Sequence, residues 1–150
     1  MNCPLCKSSD LRLFFKGEGR EYHHCKVCDL VSVTDSFLVT SKEEKAKYDN
    51  HKNTPLDLGY CNFLDRLLTP LQKEIKVGEK GLDFGSGPGP TLSKLMSDRG
   101  FDMDIYDIFY HDERKVFDKE YDFITSTEVI EHLKDPLFEI QRLWSCLKNG

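Results

Sequence analysis

Gly81-Leu82-Asp83-Phe84-Gly85-Ser86-Gly87-Pro88-Gly89-Pro90 is the stretch that decides how this chain is read. Its first four residues read as a short strand, and the glycines that follow make a loop. A helix is predicted from Thr91 through Leu92, Leu95 and Met96. Pro90 suits its first turn, where a missing N–H costs nothing, and Gly100 closes its far end. Phe101 to Asp107 is the next strand, and it ends in an acid. This is a β–glycine loop–α–β unit with a carboxylate 20 residues after Gly87. Such a unit lets main chain approach a ligand closely and brings an acid to a ribose. A phosphate-cradling loop would need G-x-x-x-x-G-K-[ST], and no lysine lies in this loop. The dinucleotide pattern G-x-G-x-x-G would need glycine at position 90, where Pro90 stands, so close packing of the NAD type is disfavoured.

A second signature follows. Tyr121-Asp122-Phe123-Ile124-Thr125-Ser126 reads as a strand, and Thr127-Glu128-Val129-Ile130-Glu131-His132-Leu133-Lys134-Asp135-Pro136 comes after it. Leu137, Ile140, Leu143, Trp144 and Leu147 then make a helix, with Asp135 as N-cap and Pro136 at its first position. The run ends at Leu147-Lys148-Asn149-Gly150. The G-x-G-x-G loop preceded by Asp83 resembles motif I of the class I S-adenosylmethionine-dependent methyltransferases. The D-x-I-x-x-x-x-V-x-E-H-x-x-D-P run resembles the segment after the fourth strand of the same family. The resemblance spans residues 81–150. It implies an α/β fold, a Rossmann-like methyltransferase sheet present here as its N-terminal half, and methyl transfer from S-adenosylmethionine to an acceptor the residues do not name.

The resemblance also assigns roles. Asp83 matches the acid that orients the loop and the amino-acid end of the cofactor. Gly85, Ser86, Gly87 and Gly89 match the cofactor-binding loop. Asp107 matches the acid that accepts from both ribose hydroxyls, with Asp104 as its mid-strand rival and a plain turn residue as the other reading. Thr127 and Glu128 match positions lining the reactive end, Glu128 having a helix cap as its alternative. His132 lies four residues after Glu128, so the two would share a helical face. Either is a candidate catalytic residue, although His132 reads better as structural, since only site geometry establishes a base. The cofactor is a net cation without phosphate. Residues 81–150 carry eight basic and fourteen acidic side chains, and an acidic cleft helps to hold such a ligand.

Four cysteines stand at the front as Cys3-Pro4-Leu5-Cys6 and Cys25-Lys26-Val27-Cys28, with eighteen residues between the pairs. Two C-x-x-C knuckles at this separation are a strong signal for structural Zn²⁺, each giving two thiolates to a tetrahedron. The residues between them predict a hairpin turning at Lys16-Gly17-Glu18-Gly19, and Leu30 to Val33 predicts a third strand. Some 34 residues bury too little apolar surface to fold unaided, so a metal clip is expected. Cys61 and Cys146 read as small buried hydrophobes. The exit Cys28-Asp29-Leu30-Val31 resembles that of a cysteine module placed ahead of the catalytic domain in bacterial methyltransferase-like proteins.

The rest bounds the reading. The net charge is −5, and 39% of the residues are hydrophobic, an ordinary globular balance. No segment is a basic patch, which disfavours nucleic acid as a partner. No apolar run nears the roughly 20 residues that cross a bilayer, and Met1 to Lys7 is not a secretory signal, so a cytoplasmic address is expected. Three units are expected: a zinc ribbon over 1–34, a helical linker over 35–80 packing on the sheet, and the cofactor-binding half domain over 81–150. In the linker, Ser41-Lys42-Glu43-Glu44 predicts a capping box and a helix to about Asn50; His51 to Gly59 predicts a loop. Tyr60, Phe63, Leu64, Leu67, Leu68, Leu71 and Ile75 predict a core-facing helix, which Pro70 kinks or splits. Thirteen residues between Asp107 and Tyr121 leave no room for the helix and third strand that the family places there. The sequence therefore predicts three or four strands, an incomplete copy of the fold, an unpaired sheet edge and homo-oligomerisation through it. The competing function is a non-catalytic scaffold in which the ribbon binds a partner.

Overall fold

The computed structural model describes residues 1–37, 39–50 and 53–148. The ribbon begins with strands β1 (Leu11–Gly17) and β2 (Arg20–Cys25), paired antiparallel. Glu18 and Gly19 join them, both at positive φ, as a two-residue hairpin turn of the right twist requires. A bulge between Leu13 and Phe15 shifts the register. Strand β3 (Val31–Val33) adds to the other side of β2. This sheet buries little: Leu13, Phe14 and Phe15 are all more than half exposed.

Helix α1 (Ser41–Tyr48) starts one residue earlier than a box capped by Ser41 would start it. Thr40 is the N-cap; its Oγ1 accepts from Glu43 N at 3.3 Å, and Glu43 Oε2 accepts from Thr40 N at 2.9 Å. The T-x-x-E box overlaps the S-x-x-E box, and the earlier one adds a residue to the helix. Helix α2 (Leu58–Leu71) is capped by Asp57. Pro70 does not split it. It sits one residue from the end, so the one bond it removes, to Arg66 O, falls in the last turn. His51, at the head of the expected loop, lies outside the described residues.

A second sheet is parallel, with β4 (Lys80–Phe84) between β5 (Asp102–Tyr106) and β6 (Phe123–Thr125). Helix α3 (Thr91–Asp98) crosses from β4 to β5, and α4 (Pro136–Ser145) follows β6. Pro90 proves to be the N-cap of α3 and not its first helical residue. Asp135 caps α4 as expected, its Oδ1 accepting from Phe138 N at 3.3 Å. Side chains alternate across β4. Leu82 and Phe84 join Tyr106, Val116, Tyr121, Leu143 and Cys146 on the α4 face. On the other face Leu64, Leu68, Leu92 and Met96 of α2 and α3 pack with Phe101 and Phe123. Asp83 points to this second face.

Residues 108–120 hold no strand; they form a short 3-10 turn, Arg114–Asp118. The sheet among the described residues is thus three-stranded, without the fourth strand. The outer side of β6 is not wholly bare. Tyr121 and Leu147 form a parallel bridge, with Tyr121 N donating to Cys146 O at 2.8 Å and Lys148 N to Tyr121 O at 2.9 Å. Asn149 and Gly150 lie outside the described residues. Cys146 is buried, but Cys61 is only half-buried, against the expectation for it. Trp144, the sole tryptophan, is 75% exposed on α4. No helix among the described residues is long and apolar enough to cross a membrane.

Candidate functional site

The glycine loop is bent back over the end of β5. Gly85 N and Ser86 N both donate to Tyr106 O, at 2.8 and 3.1 Å. Gly85 has φ +83°, and a Cβ there would meet Val129 Cγ2 at 2.2 Å. Gly87 has φ +68° and opens on empty space, with no heavy atom within 4 Å of where a Cβ would sit. A side chain is blocked at Gly85 by contact and strained at Gly87 by conformation. Asp107 holds the loop from below. Its Oδ2 accepts from Gly87 N at 2.9 Å, while Oδ1 accepts from Phe109 N at 2.8 Å and Tyr110 N at 3.2 Å.

At this carboxyl end of the strands lies a cavity of about 430 Å³, within the range of a small-ligand site. Gly85, Ser86, Gly87 and Asp107 form its floor, and Thr127, Glu128 and His132 stand on another wall. The expected site residues thus meet on one surface, with two exceptions. Gly89 is turned away; a Cβ there would strike Asn53 O at 2.2 Å. Asp83 is also off the wall. It is 4% exposed and accepts from Ser93 Oγ at 3.0 Å and Thr125 Oγ1 at 3.1 Å. Burial pushes its carboxyl up to about 6, against the pull of those two hydroxyls. It ties β6 to α3 inside the fold.

Asp104, the rival acid, belongs to another network. Lys119 Nζ at 2.9 Å, Tyr121 OH at 2.8 Å and Lys80 Nζ at 3.4 Å surround its carboxylate. Glu128 and His132 do not share a helix face, as the spacing suggested. Glu128 has φ +57° and is no cap, and His132 ends a separate 3-10 turn, Ile130–His132. The His132 ring stands edge-on to Tyr48 at 5.9 Å.

Several wall residues carry no local sequence signal. Glu44 and Tyr48 come from α1, Tyr60 and Phe63 from the start of α2, and Glu139 and Arg142 from α4. Tyr60 and Phe63 fit the apolar stripe of a core helix, which hides their second role. Arg142 is ion-paired to Glu139, and its guanidinium lies 3.7 Å from the Phe117 ring centroid, a cation–π stack. Tyr48 is pushed up to about 12, first by burial and then by the charge of Glu44; Tyr60 and Tyr106 are also raised by burial. These phenols stay protonated at neutral pH and offer no base. Ser86 Oγ and Thr127 Oγ1 are buried on the wall and have no hydrogen-bond partner among the described residues. Each is a polar group that a ligand would satisfy.

The second candidate site is the cysteine cluster. The sulfur atoms of Cys3, Cys6, Cys25 and Cys28 all lie within 4.8 Å of one another, with Cys3–Cys28 at 3.6 Å and Cys6–Cys25 at 3.5 Å. Zn–S bonds of about 2.3 Å give a tetrahedron with edges of about 3.8 Å, so the set fits such an ion. The knuckles match each other. Lys7 and Asp29, one residue past each pair, both have φ +60°, and their amides donate to Cys3 O and Cys25 O at 3.0 Å.

A glycine-loop α/β unit with a ligand-sized cavity at the strand ends defines a class of small-ligand-binding domains. A family model described as a methyltransferase domain matches residues 53–150, about two thirds of the chain. The chain belongs to this family and is a class I methyltransferase, with four cysteines that fit a zinc-ribbon site. Comparisons with curated proteins and with solved structures returned no match. The matched span takes in α2 but not α1 or the ribbon.

Proposed function

We propose that the cavity binds S-adenosylmethionine and that the chain transfers its methyl group to an acceptor. One observation carries this: a glycine loop with open backbone, an acid 20 residues on, and two orphaned hydroxyls line one cavity. The parallel order β5-β4-β6 with helices on both faces supports a Rossmann-like methyltransferase sheet. When bound, this cofactor supplies an electrophilic methyl on a sulfonium, open to in-line displacement by an acceptor lone pair.

The chain's own residues do the rest. Gly87 leaves room for a ligand against main chain, and Asp107 offers its carboxylate to ribose hydroxyls while it holds the loop. Ser86 and Thr127 present hydroxyls to the ligand's polar edges. Glu44, Asp107 and Glu128 make the wall acidic, which favours a net cation. Asp83 and Gly89 act from behind the wall. Tyr48, Tyr60 and Phe63 exclude water, and alignment within a dry cavity supplies most of the acceleration. Glu128 and His132 are the candidates on the wall to take an acceptor proton. Zn²⁺ on Cys3, Cys6, Cys25 and Cys28 is structural, because four thiolates leave no open position.

Titration calorimetry with S-adenosylhomocysteine tests the reading. Micromolar binding that is lost in Gly87→Val supports it. No binding, or binding only at millimolar concentrations, sinks it and leaves the scaffold reading.

A further inference from the structure

The ribbon and the parallel-sheet unit face each other across an apolar groove of about 560 Å³. Leu5, Leu30, Val31 and Val33 line the ribbon side, and Ile130 and Ile140 are on the other. Among the described residues one hydrogen-bonded ion pair crosses from residues 1–34 to the rest of the chain. Lys7 Nζ donates to Asp135 Oδ1 at 2.9 Å and also to Pro4 O at 3.0 Å. Both ends of this tie are fixed for other reasons. Lys7 is the left-handed residue of the first cysteine knuckle, and Asp135 is the N-cap of α4.

What lies past the tie is the ligand cavity. The turn Ile130–His132 separates the groove from the cavity: Ile130 and Glu131 line the groove, Val129 and His132 line the cavity, and Leu133 lines both. Helix α4, which Asp135 starts, carries Glu139 and Arg142 to the same cavity wall.

We propose that Lys7 is a positioning residue: by tying the first knuckle to Asp135, it makes metal occupancy of the ribbon set the place of the Ile130–His132 turn and of α4, and so of one cavity wall. The knuckle takes its shape from ligation of Cys3 and Cys6. With the metal gone, the Lys7 backbone loses its fixed pose and the tie loses its anchor. Asp135 keeps its capping role, so α4 persists but its start is free to shift. The effect on ligand affinity rests on the cofactor site proposed above; the effect on the turn does not.

The test uses the full chain, loaded with zinc and stripped by a chelator, with two readouts. Amide exchange over residues 129–147 follows the wall itself, and calorimetry with S-adenosylhomocysteine follows the cavity. Lys7→Met breaks the tie and keeps all four cysteines. Asp135→Asn removes the charge and keeps the cap, since Asn caps as well as Asp. Both variants should exchange faster over 129–147 and bind more weakly by no more than about fivefold, because both partners are half exposed. Lys7→Arg should restore the parent behaviour. Stripping the metal should weaken binding to the same extent as breaking the tie, and zinc should reverse it. Parent-like exchange in both variants and in the stripped protein overturns the proposal. If the zinc-loaded parent does not bind the probe, the cofactor reading fails, and the exchange data still decide the role of Lys7.

Discussion

In residues 1–34 the buried core is Cys3 and Cys25, whereas the parallel sheet buries seven residues against one face and six against the other. The ribbon leaves Leu13, Phe14 and Phe15 in solvent and gathers four thiols at one point. The first region has almost no hydrophobic burial to offset the entropy of its chain; the second has burial on both sides of a sheet. Ligation and packing thus divide the molecule, and each should respond to its own perturbation.

The sharpest break comes from taking the metal away. Structural zinc contributes about 10–16 kcal/mol in small domains. A chelator, or Cys25→Ser, should abolish amide protection in β1–β3 and leave β4–β6 protected. Protection of β2 that survives without metal would end the contrast. The converse is Leu68→Ala in the sheet's core. A fully buried leucine cut to alanine costs about 2–5 kcal/mol. The denaturant midpoint of the sheet should fall by that measure while zinc stoichiometry stays the same; loss of the metal in this variant would mean one cooperative unit.

Asp107→Asn probes the loop where the two regions' chemistry differs most. Three backbone N–H groups end on this carboxylate, and bonds to a charged group are worth about 1.5–3 kcal/mol each. Ligand affinity should drop more than tenfold in calorimetry with the ribbon unaffected. The smallest effect is expected at Asp83. Its carboxyl is raised from 3.8 to about 6 by burial, so the folded state prefers the proton. Its contribution is full below about pH 4 and is lost as pH rises to about 6. Asp83→Asn should flatten that loss and melt slightly higher than the parent at pH 8. An unchanged pH profile would mean that the burial of Asp83 has no energetic consequence.

The sequence made the strand–loop–helix run over 81–106 readable because its signals are local: glycine where φ is positive, proline beside a helix start, short apolar strands. The cysteine pairs were readable for the same reason, as was the cap of α4 at Asp135-Pro136. The cavity was readable only in part. Asp83 sits next to the loop in sequence, but strand alternation turns it inward, away from the wall. Glu44, Tyr48 and Arg142 reach the wall from three helices, and nothing near them in sequence announces it. The turn at Ile130–His132 also escaped, since the E-H spacing fits a helix as well as it fits the break that Glu128 makes.

Trp144 gives the chain a lamp of its own. Being the one indole and standing in water on α4, its emission comes from a single place that a quencher can reach. Any rearrangement of that helix can be watched by the colour and brightness of this residue in real time, with no label attached.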